Sequence, residues 1–510
     1  MGLVEFLRIA AGRAPEAVAI AGRTTGVRYG MVGRRVNALA ESWRARGLVA
    51  GDRVAFLDLN GERFLEAYFA AAAGGFIFVP LNTRLSAAEL TGILKLAEPA
   101  LLCGEAALLD ALGPLPVKDI LRLGGEACAL ERAIAAARPY GGDAALSDGD
   151  PAQLYFTSGT TGAPRGVILT HGNVKVHACA AMAELGLHAA DCWGHFAPMF
   201  HLADAWATFA VTLAGGRHVF TPRFEAGAVL DVMEREGVTI TNLVPTMLNA
   251  MVQHPSMPQR RFPKLRRILS GGAPIAPALV QRVMDAFGCE YVNTYGMTET
   301  SPYLTLSLPT PAMQHLDAAA LFEQRARTGR PFAGVELRVV RPDGTAVAAD
   351  DQEVGEIQVH GPTVTPGYWR DPAATAAAFT PDGFLRTGDL ARINAFGSVL
   401  IVDRMKDVIN TGGEKVWTTE VEAVLLRHAD VAECVVLGMP SVQWGEEVTA
   451  VVVRKPESAA TADELGAHCR SELSAWKVPK RIHFFAELPR TGSGKLSKRL
   501  VREALEHLPG

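Results

Sequence analysis

Apolar and polar positions along this chain follow two periods that replace each other several times. Between Arg34 and Arg46 apolar residues recur at the spacing of one helix face, whereas Val54-Ala55-Phe56-Leu57 is an unbroken apolar run of the kind that forms a short buried strand. Glu62 to Ala73 returns to the helical pattern. The longest apolar run, Tyr68 to Val79, contains Gly74-Gly75 and reads as a buried helix end followed by a core strand. Ile240 to Val244 and Arg267-Ile268-Leu269 extend the alternation, which predicts α/β sheets covered by helices on their faces. A turn-rich stretch from Pro139 to Pro151 is expected to separate a first subdomain from the strand that follows.

After Asp389 the texture changes to short strands and turns, with a turn at Asn394 to Gly397 and a polar linker at Asp403 to Asp407. Beyond it, Thr419 to Arg427 and Asp463 to Leu473 are predicted helices, and Ala432 to Leu437 and Val448 to Val453 are predicted strands. The chain thus divides near Lys406, with about four-fifths of it in the larger part. No internal repeat occurs at solenoid periods.

At 510 residues the chain exceeds what one hydrophobic core usually organises, so two or more domains are expected. Its 49% hydrophobic and 20% charged residues can bury a sizeable core. A net charge of −4 with mixed signs leaves no footprint for nucleic acid or an anionic membrane, so any polyanion must be gripped locally. The seven cysteines (Cys103, Cys128, Cys179, Cys192, Cys289, Cys434, Cys469) are scattered without a Cys-x-x-Cys pair. That argues against a disulfide framework or a zinc site and for a reducing cytoplasm. Glu5 and the lack of a signal-peptide pattern agree, and Phe6 stands where a myristoylation start at Gly2 needs Ser or Thr. No apolar run is long enough to span a bilayer.

The candidate chemistry begins at Leu154-Tyr155-Phe156-Thr157-Ser158-Gly159-Thr160-Thr161-Gly162-Ala163-Pro164-Arg165-Gly166, where an apolar strand enters a loop of hydroxyls, glycines and one cation. Glycines let backbone N–H groups turn onto an anion, hydroxyls add neutral donors, and the Arg165 guanidinium can fork onto phosphate oxygens. The loop is not a Walker A sequence, because Gly159 to Gly162 is too short a spacing and no Lys-Ser/Thr pair follows Gly166. A bare Ser/Thr/Gly run is usually a flexible loop; here the order of residues is far more specific.

That order resembles the phosphate-binding motif of the adenylate-forming superfamily: acyl- and aryl-CoA ligases, luciferases and peptide-synthetase adenylation domains. Further stretches follow in the expected order: Ser270-Gly271-Gly272-Ala273-Pro274, Asn293-Thr294-Tyr295-Gly296-Met297-Thr298-Glu299, Arg386-Thr387-Gly388-Asp389, Asp403-Arg404-Met405-Lys406-Asp407 and Pro489-Arg490-Thr491-Gly492-Ser493-Gly494-Lys495. The similarity covers nearly the whole chain. One departure is Arg165, where the family more often has lysine; the charge is kept but the fork geometry differs. The resemblance implies a large body of βα-layered subdomains (residues 1–402), a hinge linker (403–407) and a small mobile α+β lid (408–510).

A carboxylate is a poor electrophile, and a mixed anhydride with AMP cures this by supplying a good leaving group that a thiol such as coenzyme A can displace. By resemblance, the nucleotide is held by Thr157 to Gly162 with Arg165, by Gly271 to Pro274 passing close to adenine, by Asn293 to Gly296 with the Tyr295 ring stacked on adenine, and by Asp389 and Arg404 at the ribose. Glu299 is implied as the Mg²⁺ ligand, Thr298 as a donor to the α-phosphate, and Lys495 as the cation bridging acyl carboxylate and α-phosphate. Each has an ordinary alternative, since isolated Asp, Gly or Lys residues are more often turn or surface positions; the joint pattern favours function.

Ala197-Pro198-Met199-Phe200-His201 and Leu202 to Trp206 bear on the substrate. Amino-acid-activating relatives commonly carry an aspartate after the Phe; His201 stands there instead, which argues against an α-amino acid and resembles fatty-acyl and aryl-acid ligases. His201 either contacts the carboxylate or packs beside it, and Trp206 is a candidate gate that equally reads as a core tryptophan. Thr411-Gly412-Gly413-Glu414-Lys415 resembles the loop that meets the pantetheine tunnel, and Lys406 matches the hinge. The leading expectation is therefore an ATP-, Mg²⁺- and CoA-dependent ligase of a medium- or long-chain fatty acid. An aryl acid, a carrier-protein thiol acceptor and a silent acyl-adenylate binder remain as rivals, while peripheral membrane contact and a homodimer stay open.

Overall fold

The computed structural model describes residues 2–21, 26–124, 129–138, 140–158, 164–490 and 496–507, with the backbone alone at Ala129 and Ser158. Two compact units emerge: residues 1–337 with 359–385, and residues 338–358 with 386–510. The segments 338–358 and 386–402, expected in the body, thus pack with the C-terminal residues.

The first unit carries two sheets. The six-stranded sheet runs, in spatial order, through Ile120–Leu123, Leu101–Glu105, Arg53–Leu57, Ile77–Pro80, Pro151–Ser158 and Pro164–Thr170. The nine-stranded sheet contains the parallel run Arg217–Phe220, Cys192–His195, Ile240–Asn242, Arg267–Gly271 and Glu290–Gly296, with Tyr303–Leu306 added antiparallel. The central strands of both sheets are buried on both faces, and the period of two along each strand assigns its side chains. Trp193, Leu269 and Val292 join the largest core cluster, whereas their chain neighbours Cys192, Ile268 and Tyr291 face a second cluster under the helices Ala226–Glu236, Pro245–Val252 and Pro277–Phe287. Val54 and Phe56 of the other sheet enter that same largest cluster, as do side chains of the helices Glu62–Gly74, His171–Leu185 and Leu202–Ala214.

The predicted helix at 34–46 is observed as Tyr29–Ala45, and the run at 68–79 is a helix end and a core strand as expected. The turn-rich stretch before Pro151 does not separate two sheets: Gln153 pairs with Phe78, so the phosphate-loop strand joins the sheet built by the earlier residues. Turn residues report a chain reversal but not the partner of the next strand, which long-range packing chooses.

The second unit holds a four-stranded sheet (Glu336–Val340, Gly355–His360, Leu385–Ile393, Val399–Arg404) and a five-stranded sheet with the helices Thr418–Arg427, Ala462–Glu472 and Lys498–Glu506. Alternation again divides it, Val436 and Ala450 facing one core and Val435 and Val451 the other. No helix among the described residues is long and apolar enough to cross a membrane.

Candidate active site

The strands Pro151–Ser158 and Pro164–Thr170 pair antiparallel with Thr157 opposite Arg165. Gly159, Thr160, Thr161 and Gly162 between them lie outside the described residues, as do the Ser158 side chain and Lys495. Residues 365–369 run beside the second strand: Trp369 N–H donates to the Gly166 carbonyl at 2.7 Å, and Thr365 Oγ1 to that of Ile168 at 2.6 Å. This places Tyr368 beneath Arg165, whose guanidinium lies 5.6 Å from the ring centroid. The Tyr368 hydroxyl donates to Glu299 Oε1 at 3.0 Å, and Thr365 N–H donates to the Glu299 carbonyl at 2.7 Å. Burial, with Glu299 beside it, pushes the Tyr368 phenol above its ordinary value and keeps it a donor.

Glu299 is buried in the short helical turn Thr298–Thr300 that follows the strand ending at Gly296. A Cβ at Gly296 would stand 1.8 Å from the Pro302 carbonyl oxygen, so only glycine lets this hairpin close. Met297 N–H donates to that carbonyl at 3.1 Å, and Thr300 Oγ1 donates to it at 2.6 Å, which fixes the turn around Glu299. On the neighbouring strand Gly271 lies against Thr294, where a Cβ would come within 2.3 Å of its carbonyl oxygen. Gly272 has φ +80°, and Gly272, Ala273 and Pro274 are exposed. Tyr295 and Thr298 are half-buried, and Asn293 Nδ2 donates to the Arg327 carbonyl.

Phe200 is buried and His201 is the N-cap residue of the helix Leu202–Ala214. Asn60 holds the preceding loop, its Nδ2 donating to the carbonyls of His195 (3.1 Å) and Ala197 (2.7 Å) while its Oδ1 accepts from Met199 N–H at 2.8 Å. The Tyr68 hydroxyl donates to the Met199 carbonyl at 2.9 Å and lies 2.7 Å from the hydroxyl of Tyr155, which sits on the phosphate-loop strand. The segment Ala197 to His201 and the strand Pro151–Ser158 are thereby tied together. Trp206 is 2% exposed. Its ring meets Trp193 at 5.0 Å, Tyr303 at 5.1 Å and His177 at 5.6 Å, and His177 stacks on Phe332 at 5.1 Å.

In the second unit Asp389 and Arg404 face each other across antiparallel strands, with Arg404 Nε 3.1 Å from Asp389 Oδ1. The carboxylate is buried and the guanidinium 61% exposed. Lys406 is exposed in the short helical turn Met405–Asp407. Gly412 (φ +60°) and Gly413 (φ +89°) form the two-residue turn of the hairpin Ile409–Thr411 and Glu414–Val416, and both are exposed together with Glu414.

Residues 7–369 match the AMP-binding enzyme model and residues 420–495 the AMP-binding enzyme C-terminal domain. The chain belongs to the AMP-binding enzymes. It is 37% identical to a feruloyl-CoA synthase of Amycolatopsis sp., over 96% of each chain. It is 35% identical to a long-chain-fatty-acid–CoA ligase of Thermus thermophilus, over 96% of this chain and 91% of the relative. The crystal structure of ATP-bound MatB from Rhodopseudomonas palustris superposes with TM-score 0.87 at 30% identity, over 99% of each chain.

This AMP-binding enzyme is an ATP-dependent acyl- or aryl-CoA ligase, and ATP, Mg²⁺ and coenzyme A belong to its chemistry. Among its described residues no group of three or more His, Cys, Asp or Glu side chains could hold a metal ion. The single buried carboxylate of Glu299 suits Mg²⁺, which prefers one or two carboxylates with phosphate oxygens and water completing its octahedron. Reading the sequence missed Tyr368, which links Arg165 to Glu299, and the aromatic partners of Trp206. The run Gly367-Tyr368-Trp369 was a visible signal for the first; His177, Trp193, Tyr303 and Phe332 are too dispersed to have been grouped.

Proposed function

We propose that this enzyme activates a carboxylic acid with a flat aromatic acyl part, first to an acyl-adenylate and then to a CoA thioester. In the first step a carboxylate oxygen attacks the α-phosphorus and the bond to pyrophosphate breaks. In the second the CoA sulfur attacks the acyl carbon, AMP leaves, and the thiol proton passes to solvent. The observation that carries the aromatic reading is the wall around Trp206: Trp193 and Tyr303 pack on it, and Phe332 and His177 pack on Tyr303. A long alkyl tail needs a deep channel to gain about 0.8 kcal/mol per methylene, and here its path beside Trp206 meets packed rings. A short planar acid needs no such channel and can stop at the edge of the packed rings. The 37% identity to a feruloyl-CoA synthase supports the same reading.

Within it, Glu299 holds Mg²⁺, Thr298 and Arg165 meet the phosphates, Tyr295 stacks on adenine between the Gly271–Pro274 segment and Asn293-Thr294, and Asp389 with Arg404 takes the ribose. Lys495 offsets the charge that concentrates at the α-phosphate. Lys406 is the hinge, in the linker at residues 403–407, and Gly412 to Glu414 guide the pantetheine arm. The 35% identity to the Thermus fatty-acid ligase favours a second reading, a medium- or long-chain fatty acid.

Pyrophosphate release and mass spectrometry of products, with ATP, Mg²⁺ and a panel of cinnamic-type, benzoic and fatty acids, test this with and without CoA. Aryl-CoA as the main product is expected. Acyl-AMP that accumulates in the presence of CoA would overturn the CoA step, and turnover confined to fatty acids would overturn the aromatic reading.

A further inference from the structure

Behind the acid-side helix lies a line of buried polar groups that the ligase chemistry does not use. Asp204, in the first turn of the helix Leu202–Ala214, is fully buried. It accepts from Trp193 Nε1 at 3.3 Å and lies 2.6 Å from His195 Nδ1. His195 Nε2 is 3.0 Å from His218 Nδ1, and His218 Nε2 is 3.0 Å from Thr212 Oγ1. Thr212 sits in the last turns of the same helix, so the line leaves the helix at one end, crosses the parallel strands Cys192–His195 and Arg217–Phe220, and returns at the other end. All four side chains are at most 1% exposed.

We infer that Asp204, His195, His218 and Thr212 form a positioning relay that clamps both ends of the acid-side helix to the sheet and so sets His201 and Trp206 against the acid. Three features carry this. The bonds are directional: Thr212 donating to His218, His218 to His195 and His195 to Asp204 satisfies every ring nitrogen with two neutral imidazoles and one carboxylate. The two imidazoles lie side by side in nearly one plane, centroids 5.3 Å and planes 17° apart, and His195 stacks on Phe220 at 4.8 Å, so neither ring can turn without losing a hydrogen bond. Trp193, the other donor to Asp204, packs edge-on against Trp206, which makes the relay and the acid wall one rigid body. Burial beside His195 also holds His218 far below the ordinary histidine range, in the neutral form the bond order requires.

The inference rests on the acid-activating reading, and two measurements keep them apart. In the full-length enzyme Asp204→Asn leaves one accepting oxygen for the two donors Trp193 Nε1 and His195 Nδ1, and the KM for the acid should rise about ten-fold, equivalent to about 1.4 kcal/mol, while the KM for ATP stays within about two-fold. Thr212→Val keeps shape and removes only the far hydroxyl; a rise of about three-fold in acid KM is expected, again sparing ATP. The second measurement is independent of turnover: the indole N–H NMR resonance of Trp206 should shift in Thr212→Val although residue 212 lies six positions further along the helix. An unmoved Trp206 resonance, or KM values for acid and ATP that rise together, would overturn the relay. A wild-type enzyme that activates no acid would overturn the functional reading alone, because the resonance still decides the relay.

Discussion

Gly271 to Pro274 and the turn at Glu299 present backbone and glycine, partly open to solvent, whereas the wall of Trp206, Tyr303, His177 and Phe332 presents side chains that are at most 3% exposed. The first is built by close main-chain approach inside contiguous motifs. The second is built by ring packing from separate elements of the same unit. The contrast predicts that nucleotide-side substitutions act on geometry at little cost to the global fold, while acid-side substitutions change stability and specificity together.

The largest effect should come from Gly296→Ala. Its Cβ cannot coexist with the Pro302 carbonyl 1.8 Å away, so the Glu299 turn must move, and misplacement of about 1 Å costs on the order of 100-fold in rate. Pyrophosphate release should fall by that factor, with thermal unfolding shifted less than in the acid-side variant. Trp206→Ala is that variant: loss of a buried ring should destabilise the fold by about 3 to 5 kcal/mol in urea titration and raise the relative rate with longer acids. A specificity profile unchanged in the folded variant would show that the wall is core alone.

Tyr368→Phe is intermediate. It removes the hydroxyl that donates to Glu299 at 3.0 Å, a charge-assisted bond worth about 1.5 to 3 kcal/mol, and should raise the Mg²⁺ concentration needed for half-maximal rate about ten-fold without altering acid preference.

The last effect is the acid sensitivity of His177 in the wall and of His171, the first residue of the same helix His171–Leu185. Burial pushes His177 down to about 3 and His171 to about 4. In the unfolded chain both take up a proton near pH 6.5, so their contribution is full above about pH 6.5 and is lost as pH falls towards the folded values. Each adds a slope of about 1.4 kcal/mol per pH unit between pH 6 and 5. His177→Phe should halve that part of the slope in urea unfolding, and an unchanged slope would contradict the assignment.

The same contrast explains what the sequence revealed. The phosphate-loop motif, Gly271 to Pro274, Tyr295 to Glu299, Asp389 and the Gly412-Gly413 pair could be picked out as candidates because each is a contiguous run whose glycines and charges stand at fixed offsets. The helix at 62–74 and the strand after it were legible from period and length. Tyr368 was not, because its role depends on residues 365–369 lying beside a strand some two hundred positions earlier. Nor was the wall, whose rings look like ordinary core residues until packing brings them onto Trp206. The pairing of Gln153 with Phe78 was hidden for the same reason.

The most direct measurement is the ratio of kcat/KM for a cinnamic-type acid to that for a long-chain alkanoic acid, read as CoA thioester formed by the wild-type enzyme. A packed aromatic wall predicts a ratio above about ten in favour of the aromatic acid, since a pocket that misfits the tail forfeits a few kcal/mol. A ratio at or below one would contradict it and place the acid beyond Trp206, in a channel lined by other residues.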